Sequence, residues 1–410
     1  MNRNGEFFRK IGFTGRGIND IMSYEKKNFK GDNMLYNEFK SLKLSALGMG
    51  CMRLPCIGGD NSAIDMEASR EMLAYAIEKG INYFDTAWGY HNQQSERAMG
   101  ELLGEYPRDS FYLATKFPGY DLSLMKNPPA IFEEQLKRCR TDYFDFYLFH
   151  NVCEKNIDGY LNPEFGIFEY LMEQKRIGKI KHLGFSTHGS LGTMKRFLDA
   201  YGAEMEFCQL QVNWLDWDFQ NAKAKIELVG SYGIPVWVME PVRGGSLVKL
   251  EPEYEERLRA LRPEATMAEW AFRFLQGLPS VKMTLSGMSN FEQLKENIET
   301  YSEEKPLSER ETEVLLGIAR EKIAKTALPC TSCRYCTEYC PRQLDIPWLI
   351  ELYNEHVYSG GGFIAPMALS AVDKDKLPSA CVGCRACENV CPQGIRISEM
   401  MSDFTERLGK

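Results

Sequence analysis

The chain has 410 residues, a formal net charge of −8 and 13 cysteines. A chain of this length exceeds the size at which a single hydrophobic core keeps growing, so the sequence predicts two domains. The acidic balance offers no broad basic face for nucleic acid, and no apolar run approaches the length of a membrane span. Free cysteines in a chain without a secretory leader indicate a reducing compartment, and we expect a cytoplasmic protein.

Residues 1–33 form a predicted N-terminal extension that is polar and Gly-rich. It carries seven Lys or Arg against four Asp or Glu. Two interpretations stay open, a functional arm and a start site placed too far upstream. The pattern of the main fold begins after the extension, at Met34-Leu35-Tyr36.

From about Ser45 to Tyr301, short apolar runs alternate eight times with amphipathic helical patterns. This alternation predicts an α/β fold in which eight parallel strands close into a (β/α)8 TIM barrel over residues 34–301. Asp65 is the expected N-cap of the first barrel helix, and Gly80 is expected to follow its end. The predicted strands are Ala46 to Arg53, Tyr83 to Ala87, Tyr112 to Lys116, Phe144 to His150, His182 to Ser186, Phe207 to Val212, Val236 to Glu240 and Lys282 to Ser286.

Three successive predicted strands end in polar side chains. Asp85 and Tyr90 stand at the end of the second strand, Lys116 at the end of the third and His150 at the end of the fourth. Taken singly, each residue is compatible with a structural role. Because chemistry in such barrels sits at the C-terminal ends of the strands, we expect the four side chains to converge at one mouth.

These four residue types suit the reduction of a carbonyl by hydride. The reaction builds negative charge on the carbonyl oxygen, which needs a proton donor within hydrogen-bond reach. Tyr90 is the expected donor, and a neighbouring Lys116 cation favours its tyrosinate. Asp85 can anchor Lys116, while His150 can orient the substrate oxygen or share in a proton relay. A nicotinamide across the barrel mouth would supply the electrons.

The four positions resemble the Asp, Tyr, Lys and His tetrad of the aldo/keto reductase family, with similarity running roughly from Leu35 to Thr300. The resemblance implies hydride transfer between NADP(H) or NAD(H) and a small carbonyl or alcohol substrate. It also implies two groups of cofactor-binding residues. Ser186 and Gln209 would hold the nicotinamide amide, and the loops that bind the phosphate groups and the adenosine would contribute Pro241, Arg243, Gly245, Gly287, Ser289, Gln293 and Asn297.

The sequence departs from the family pattern at two positions. Thr187 stands where many relatives have Asn, and Glu240 stands where many have the Tyr that stacks on the nicotinamide. Because Arg243 is the only cation near the predicted phosphate loops, the choice between NADPH and NADH stays open. The sequence has no Gly-x-Gly-x-x-Gly motif between a strand and a helix, and no flavin-binding signature. Three tryptophans suggest an aromatic-walled substrate pocket: Trp88, Trp214 and Trp217.

Residues 302–326 are predicted to link the barrel to a second domain. The pattern from Glu309 to Lys325 is that of an amphipathic helix. The remaining residues, 327–410, are expected to form the smaller domain.

The second domain contains two runs of four cysteines with the same spacing. They are Cys330-x2-Cys333-x2-Cys336-x3-Cys340-Pro341 and Cys381-x2-Cys384-x2-Cys387-x3-Cys391-Pro392, offset by 51 residues. Three cysteines at successive x2 spacings indicate a [4Fe-4S] cluster, with the fourth cysteine reaching the other cluster. The alternative is a pair of structural zinc sites, although these usually join two separated Cys-x2-Cys knuckles.

The cysteine runs resemble ferredoxins of the two [4Fe-4S] type. The resemblance implies crossed ligation, with Cys330, Cys333, Cys336 and Cys391 on one cluster and Cys381, Cys384, Cys387 and Cys340 on the other. The forty residues between the runs include a helical pattern around Ile346 to Tyr353. We therefore expect a small, mainly helical ferredoxin-type iron–sulfur domain.

Three functional hypotheses follow from the sequence. The first is a reductase whose clusters exchange electrons with the barrel or with a partner protein. The second is a reductase with purely structural clusters, and the third is a redox-sensing regulatory or interaction protein. An electron-transfer protein thus stays open as a partner. A hydride carries two electrons whereas each cluster passes one, and the sequence shows no mediator between them.

Overall fold

A computed structural model describes residues 34–409, so the predicted extension, residues 1–33, lies outside the described residues. The strands begin with a short hairpin and continue into the barrel. They are β1 (Tyr36–Phe39), β2 (Leu42–Ser45), β3 (Leu47–Gly50), β4 (Tyr83–Asp85), β5 (Tyr112–Phe117), β6 (Phe144–Val152), β7 (Ile180–Thr187), β8 (Cys208–Gln211), β9 (Val236–Met239) and β10 (Val281–Ser286).

Strands β3 to β10 form a closed parallel barrel in the order β10-β3-β4-β5-β6-β7-β8-β9. Each predicted strand is present, and the differences lie at the ends, where β3 stops at Gly50 and β6 continues to Val152. Strand β5 pairs with β6 so that Lys116 lies beside Leu148. The TIM barrel prediction is confirmed.

Helices lie between the strands and continue into the second domain. Asp65 caps the first of them by accepting a hydrogen bond from Ala68 N at 3.0 Å. Gly80 follows with a φ of +97°, a conformation that glycine adopts readily. The helices are α1 (Met66–Glu78), α2 (Ser95–Leu103), α3 (Pro128–Arg138), α4 (Ile157–Tyr160), α5 (Ile167–Arg176), α6 (Leu191–Tyr201), α7 (Asp216–Phe219), α8 (Ala222–Ser231), α9 (Pro252–Arg259), α10 (Met267–Gln276), α11 (Phe291–Thr300), α12 (Glu309–Thr326), α13 (Tyr335–Glu338), α14 (Ile346–Tyr358), α15 (Ile364–Leu369) and α16 (Ile397–Leu408).

The β1–β2 hairpin packs at the N-terminal end of the barrel. Phe39 lies edge-on to Trp237 with ring centroids 5.0 Å apart, and Leu44 is fully buried beside it. The sequence analysis did not predict this hairpin, because two four-residue strands contain too few alternations of apolar and polar residues to be recognised. Since the hairpin covers the N-terminal end, the C-terminal end is left for the site.

The second domain is mainly helical, as predicted. Its core includes Leu349, Ile350 and Phe404 from α14 and α16. Helix α12 leads into it and begins with a capping box between Ser308 and Glu311. Within residues 34–409, no helix is long and apolar enough to cross a membrane.

The second domain packs against the C-terminal end of the barrel. Glu355 on α14 accepts hydrogen bonds from Arg243 Nη2 at 2.5 Å and from Gln220 Nε2 at 2.6 Å. Arg243 also donates from Nε to Asp216 Oδ1 at 3.1 Å, and its guanidinium lies 5.0 Å from the Tyr358 ring. Burial raises the pKa of Glu355 to about 7, with Arg243 opposing the shift. A buried network of ion pairs therefore joins the two domains.

Replacing Arg243 by Met tests how much this ion-pair network contributes to stability. We expect the variant to lose about 3 kcal/mol of stability, because the Asp216 and Glu355 carboxylates would stay buried without their cation. Arg257→Met is the matched control, since it removes an exposed ion pair with Glu321 that contributes at most about 1 kcal/mol. Chemical denaturation followed by circular dichroism and tryptophan fluorescence measures both variants. Equal and small losses would contradict a role of Arg243 in joining the domains.

Candidate active site and cluster-binding cavities

Three of the four predicted catalytic residues meet around one ammonium group. Lys116 Nζ donates to Asp85 Oδ1 at 2.5 Å, to Thr86 O at 2.9 Å and to Tyr90 Oη at 3.2 Å. Lys116 and Asp85 are buried, with side chains 1% and 4% exposed. Parallel pairing of β4 with β5 sets this arrangement, because it aligns the C-terminal ends of the two strands.

The electrostatics of this group keep Tyr90 protonated. Burial raises the pKa of Tyr90, and the Lys116 ammonium opposes this shift without cancelling it. Burial also works against the charge on Lys116, yet the Asp85 carboxylate and Tyr90 raise the pKa of that ammonium overall. The Lys116 cation therefore acts in the expected direction on Tyr90, but the hydroxyl as a whole is a weaker acid than free tyrosine.

His150 completes the set beside Tyr90, with ring centroids 6.0 Å apart. Tyr120 contacts the other side of the imidazole, with a centroid distance of 5.3 Å. Burial, assisted by the charge of Lys116, lowers the pKa of His150 well below its ordinary value. A neutral imidazole can donate a hydrogen bond to a substrate oxygen but holds no acidic proton near neutrality. The sequence had left both roles open, and this environment favours orientation.

The predicted nicotinamide contacts lie beside the tetrad on the next strands. Ser186 Oγ accepts a hydrogen bond from Asn151 N at 2.8 Å. Gln209 is buried, and its Oε1 has no hydrogen-bond partner among residues 34–409. A buried amide oxygen without a partner is costly, so a ligand amide at this position would satisfy it. These residues fit the carboxamide of a nicotinamide.

Thr187 explains one departure from the family pattern. Its hydroxyl donates to Val152 O at 2.7 Å and accepts from Gly189 N at 3.0 Å. Because both interactions fix the turn after β7, the side chain points into the protein's own backbone. Thr187 therefore has a structural role where relatives have Asn.

Arg53 is a residue of the mouth that the sequence analysis did not single out. A Cβ added to Gly244 would lie 3.3 Å from Arg53 Nη2, and one added to Gly287 would lie 3.2 Å from Arg53 Cβ. The exposed Arg53 side chain thus lies between the loop that carries Pro241 and Gly245 and the loop after β10. Glycine at both positions lets the Arg53 side chain pack between the two loops. Arg243, in contrast, is buried and engaged with Asp216 and Glu355.

Three of the predicted cofactor-binding residues, Ser289, Gln293 and Asn297, lie just before α11 or within it. Ser289 N donates to Gln293 Oε1 at 2.8 Å, while Asn290 caps the helix by accepting from Gln293 N at 2.9 Å. Asn297 Nδ2 donates to Ser286 Oγ at 3.0 Å and is buried. Asn297 thus holds the end of β10 against α11, whereas Ser289 and Gln293 stay on the surface.

The eight predicted cluster cysteines line two separate cavities. One cavity, with about 340 Å³ of empty space including its mouth, is lined by Cys340, Cys381, Cys384 and Cys387. The other, with about 310 Å³, is lined by Cys330, Cys333, Cys336 and Cys391. In both, the fourth cysteine of one run joins the first three of the other run, which is the crossed arrangement expected from the spacing. These residues fit two cubane clusters.

The three tryptophans of the suggested pocket differ in burial. Trp214 is 1% exposed, whereas Trp217 is half-buried and its ring packs edge-on against Phe274 at 5.5 Å. Trp88 lies over the guanidinium of Arg138 at 3.6 Å. All three make packing contacts with the protein, and an aromatic-walled pocket stays a prediction.

Comparisons with known proteins cover both domains. A model described as Aldo/keto reductase family matches residues 46–318, and one described as 4Fe-4S dicluster domain matches residues 329–395. A probable aldo-keto reductase 1 of Glycine max is 26% identical over 63% of this chain and 81% of its own. An NADH-specific methylglyoxal reductase of Escherichia coli is 29% identical over 50% of this chain and 66% of its own. An aldo-keto reductase structure from Bacillus halodurans, in holo form, has a TM-score of 0.56 at 25% identity over 70% of this chain and 96% of that one.

Proposed function

Since the chain belongs to the aldo/keto reductase family and carries a 4Fe-4S dicluster domain, we propose that it catalyses hydride transfer between NAD(P)H and a carbonyl or alcohol substrate. The observation that carries the proposal is the position of Lys116 Nζ, within 2.5 Å of Asp85 and 3.2 Å of Tyr90 at the barrel mouth. Oxidation of NADH and NADPH by the cluster-loaded protein, with a panel of aldehydes and ketones, tests it. No turnover with any of them, or with alcohols in reverse, would contradict it.

Each residue of the tetrad has its own role in the reaction. A bound nicotinamide supplies the hydride to the carbonyl carbon. Tyr90 Oη gives its proton to the carbonyl oxygen as negative charge develops there, and the Lys116 ammonium stabilises the tyrosinate left behind. Asp85 keeps Lys116 charged and in place. His150, neutral, orients the carbonyl oxygen toward Tyr90.

The pKa shifts predict a flat pH profile. Tyr90 must be protonated to act, and burial raises its pKa above the ordinary value of about 10. Burial lowers the pKa of His150, so it stays neutral as the pH falls through about 6.5. We expect kcat/KM for reduction to change little between about pH 6 and 9 and to fall only as Tyr90 loses its proton above about pH 10. An acid limb near pH 6.5 that disappears in His150→Gln would contradict this assignment.

We further propose that the two [4Fe-4S] clusters transfer electrons. Ile350 of α14 lines the cavity of Cys330 and Cys391, and the next residue, Glu351, interacts electrostatically with Lys225 of the barrel. The cavity of Cys330 and Cys391 and the barrel are thus bordered by neighbouring residues of one helix, which supports a short route for electrons between the two domains. Oxidation of one NAD(P)H yields two electrons and one proton. The two clusters would accept one electron each after a two-electron cofactor, such as a flavin, had taken the hydride and passed its electrons on singly.

The alternative hypotheses are structural clusters and a redox-sensing interaction protein. An anaerobic titration with NADPH and then NADH, followed by cluster absorbance and the EPR signal of reduced clusters, separates them from electron transfer. Dithionite serves as the control for full reduction. The electron-transfer proposal expects one of the nicotinamides to produce the signal. A signal from dithionite alone would mean that the clusters are structural, that they serve an external protein donor, or that their potential lies below what a nicotinamide can reach.

A further inference from the structure

The segment that follows α14 turns back over the barrel mouth. Gly360 and Gly361 have φ values of +67° and +100°, which allow the sharp turn. Gly361 N donates to His356 O at 2.8 Å, and Gly362 N donates to Ser359 Oγ at 2.9 Å, so the turn is held by hydrogen bonds. It leads into Phe363 and helix α15.

Two side chains of this segment contact residues at the C-terminal ends of β6 and β7. Met367 Sδ accepts a hydrogen bond from Asn151 Nδ2 at 3.0 Å, and Asn151 is the neighbour of His150 in sequence. Phe363 meets the His188 ring edge-on, with centroids 5.2 Å apart, and His188 directly follows β7. The iron–sulfur domain therefore places an aromatic ring and a thioether at the C-terminal ends of β6 and β7, next to the neighbour of His150 and to a residue two positions beyond Ser186.

Phe363 is much more exposed to solvent than an ordinary core residue. It is 51% exposed although it belongs to a contact between domains. On the barrel side, Tyr120 contacts His150 with ring centroids 5.3 Å apart. Tyr120 thus borders His150 from the barrel, while the segment of Phe363 and Met367 borders Asn151 and His188 from the second domain. Aromatic and thioether side chains pack favourably on apolar and aromatic groups.

We infer that Phe363 and Met367 of the iron–sulfur domain form the outer wall of the substrate pocket and select carbonyl compounds with an aromatic or bulky apolar substituent. The inference rests on the proposed reductase function and adds the substrate class. The Escherichia coli relative is named for methylglyoxal, a smaller and more polar compound. In this protein the second domain would thus decide which carbonyl compounds enter.

Acetophenone and acetone test the inference, because they differ by a phenyl in place of a methyl group. We expect wild-type protein to favour acetophenone in kcat/KM, and Phe363→Ala or Met367→Ala to lower that preference about tenfold through KM. Phe363→Leu and Met367→Leu should retain most of it. The dissociation constant for NAD(P)H, followed by fluorescence, should stay unchanged in all four variants.

Ile177→Ala is the matched control. Ile177 is 49% exposed, close to the value for Phe363, and it precedes β7, so it lies at the opposite end of the barrel. This variant should keep the phenyl preference. Cluster absorbance and melting temperature of each variant show whether the domain stays folded and seated.

A binding measurement keeps the inference separate from the proposed function. Calorimetry with Tyr90→Phe protein saturated with NAD(P)H reports the affinities for both ketones without turnover. Tighter binding of acetophenone that Phe363→Ala abolishes supports the inference even if wild-type protein reduces neither ketone, in which case the proposed function fails. Equal affinities for the two ketones, or a phenyl preference unchanged in both alanine variants, would overturn it.

Discussion

Tyr90→Phe is expected to lower kcat for carbonyl reduction by about 10²–10⁴-fold, because it removes the hydroxyl proton donor that Lys116 contacts. The ring stays in place, so the dissociation constant for NAD(P)H should change little. Steady-state kinetics with the best carbonyl substrate measures the first effect, and fluorescence titration of the nicotinamide measures the second. The combination distinguishes lost proton transfer from lost binding.

Tyr143→Phe provides the control for this variant. Tyr143 precedes β6, whereas His150 stands near the other end of that strand, so its hydroxyl is remote from the mouth. The activity of the Tyr143→Phe variant should match that of the wild type. If Tyr90→Phe retained activity within a few-fold of the wild type, Tyr90 would have no part in the mechanism and the proposed chemistry would need another donor.

Replacing Cys391 or Cys340 by Ser is expected to remove one cluster each, which halves the iron content from about eight to about four atoms per chain. The crossed cavities make a sharper prediction for double variants. Cys330→Ser with Cys391→Ser should lose no more iron than either change alone, since both residues line one cavity. Cys340→Ser with Cys391→Ser should lose both clusters, because these residues line different cavities.

Iron and sulfide analysis, together with EPR of the dithionite-reduced protein, measures how many clusters each variant retains. Uncrossed ligation would reverse the pattern, so that Cys330→Ser with Cys340→Ser would keep half of the iron. Zinc in place of iron in protein purified without oxygen would contradict the cluster proposal. The mutational pattern therefore tests both the metal and the connectivity.

The barrel was predictable because its signal is local. Each strand is a short apolar run, and the rule that strand ends meet at one mouth brings Asp85, Lys116 and His150 together without further information. The cysteine runs are equally informative, because their spacing alone predicts which cysteines line each of the two cavities. In both cases the physical constraint acts within a few residues or repeats at a fixed interval.

The contacts between the domains were not predictable in this way. Glu355 reaches Arg243 across 112 residues of sequence, and no periodicity relates the two. The sequence therefore suggested Arg243 for cofactor phosphate, whereas the structure engages it with Asp216 and Glu355. Phe363 gave no signal either, because its position depends on how α14 packs against the barrel and on the turn that follows.

Deuterium transfer from NAD(P)H labelled at C4 tests the central claim most directly. Cluster-loaded protein is incubated without oxygen with each C4 diastereomer and the carbonyl compound that it reduces fastest, and the alcohol is analysed by mass spectrometry. Direct hydride transfer at the Tyr90 site predicts one deuterium on the carbinol carbon, from one diastereomer only. A product with hydrogen from solvent at that carbon would contradict the account, because it would mean that electrons reach the carbonyl singly, through the clusters, with protons taken from water.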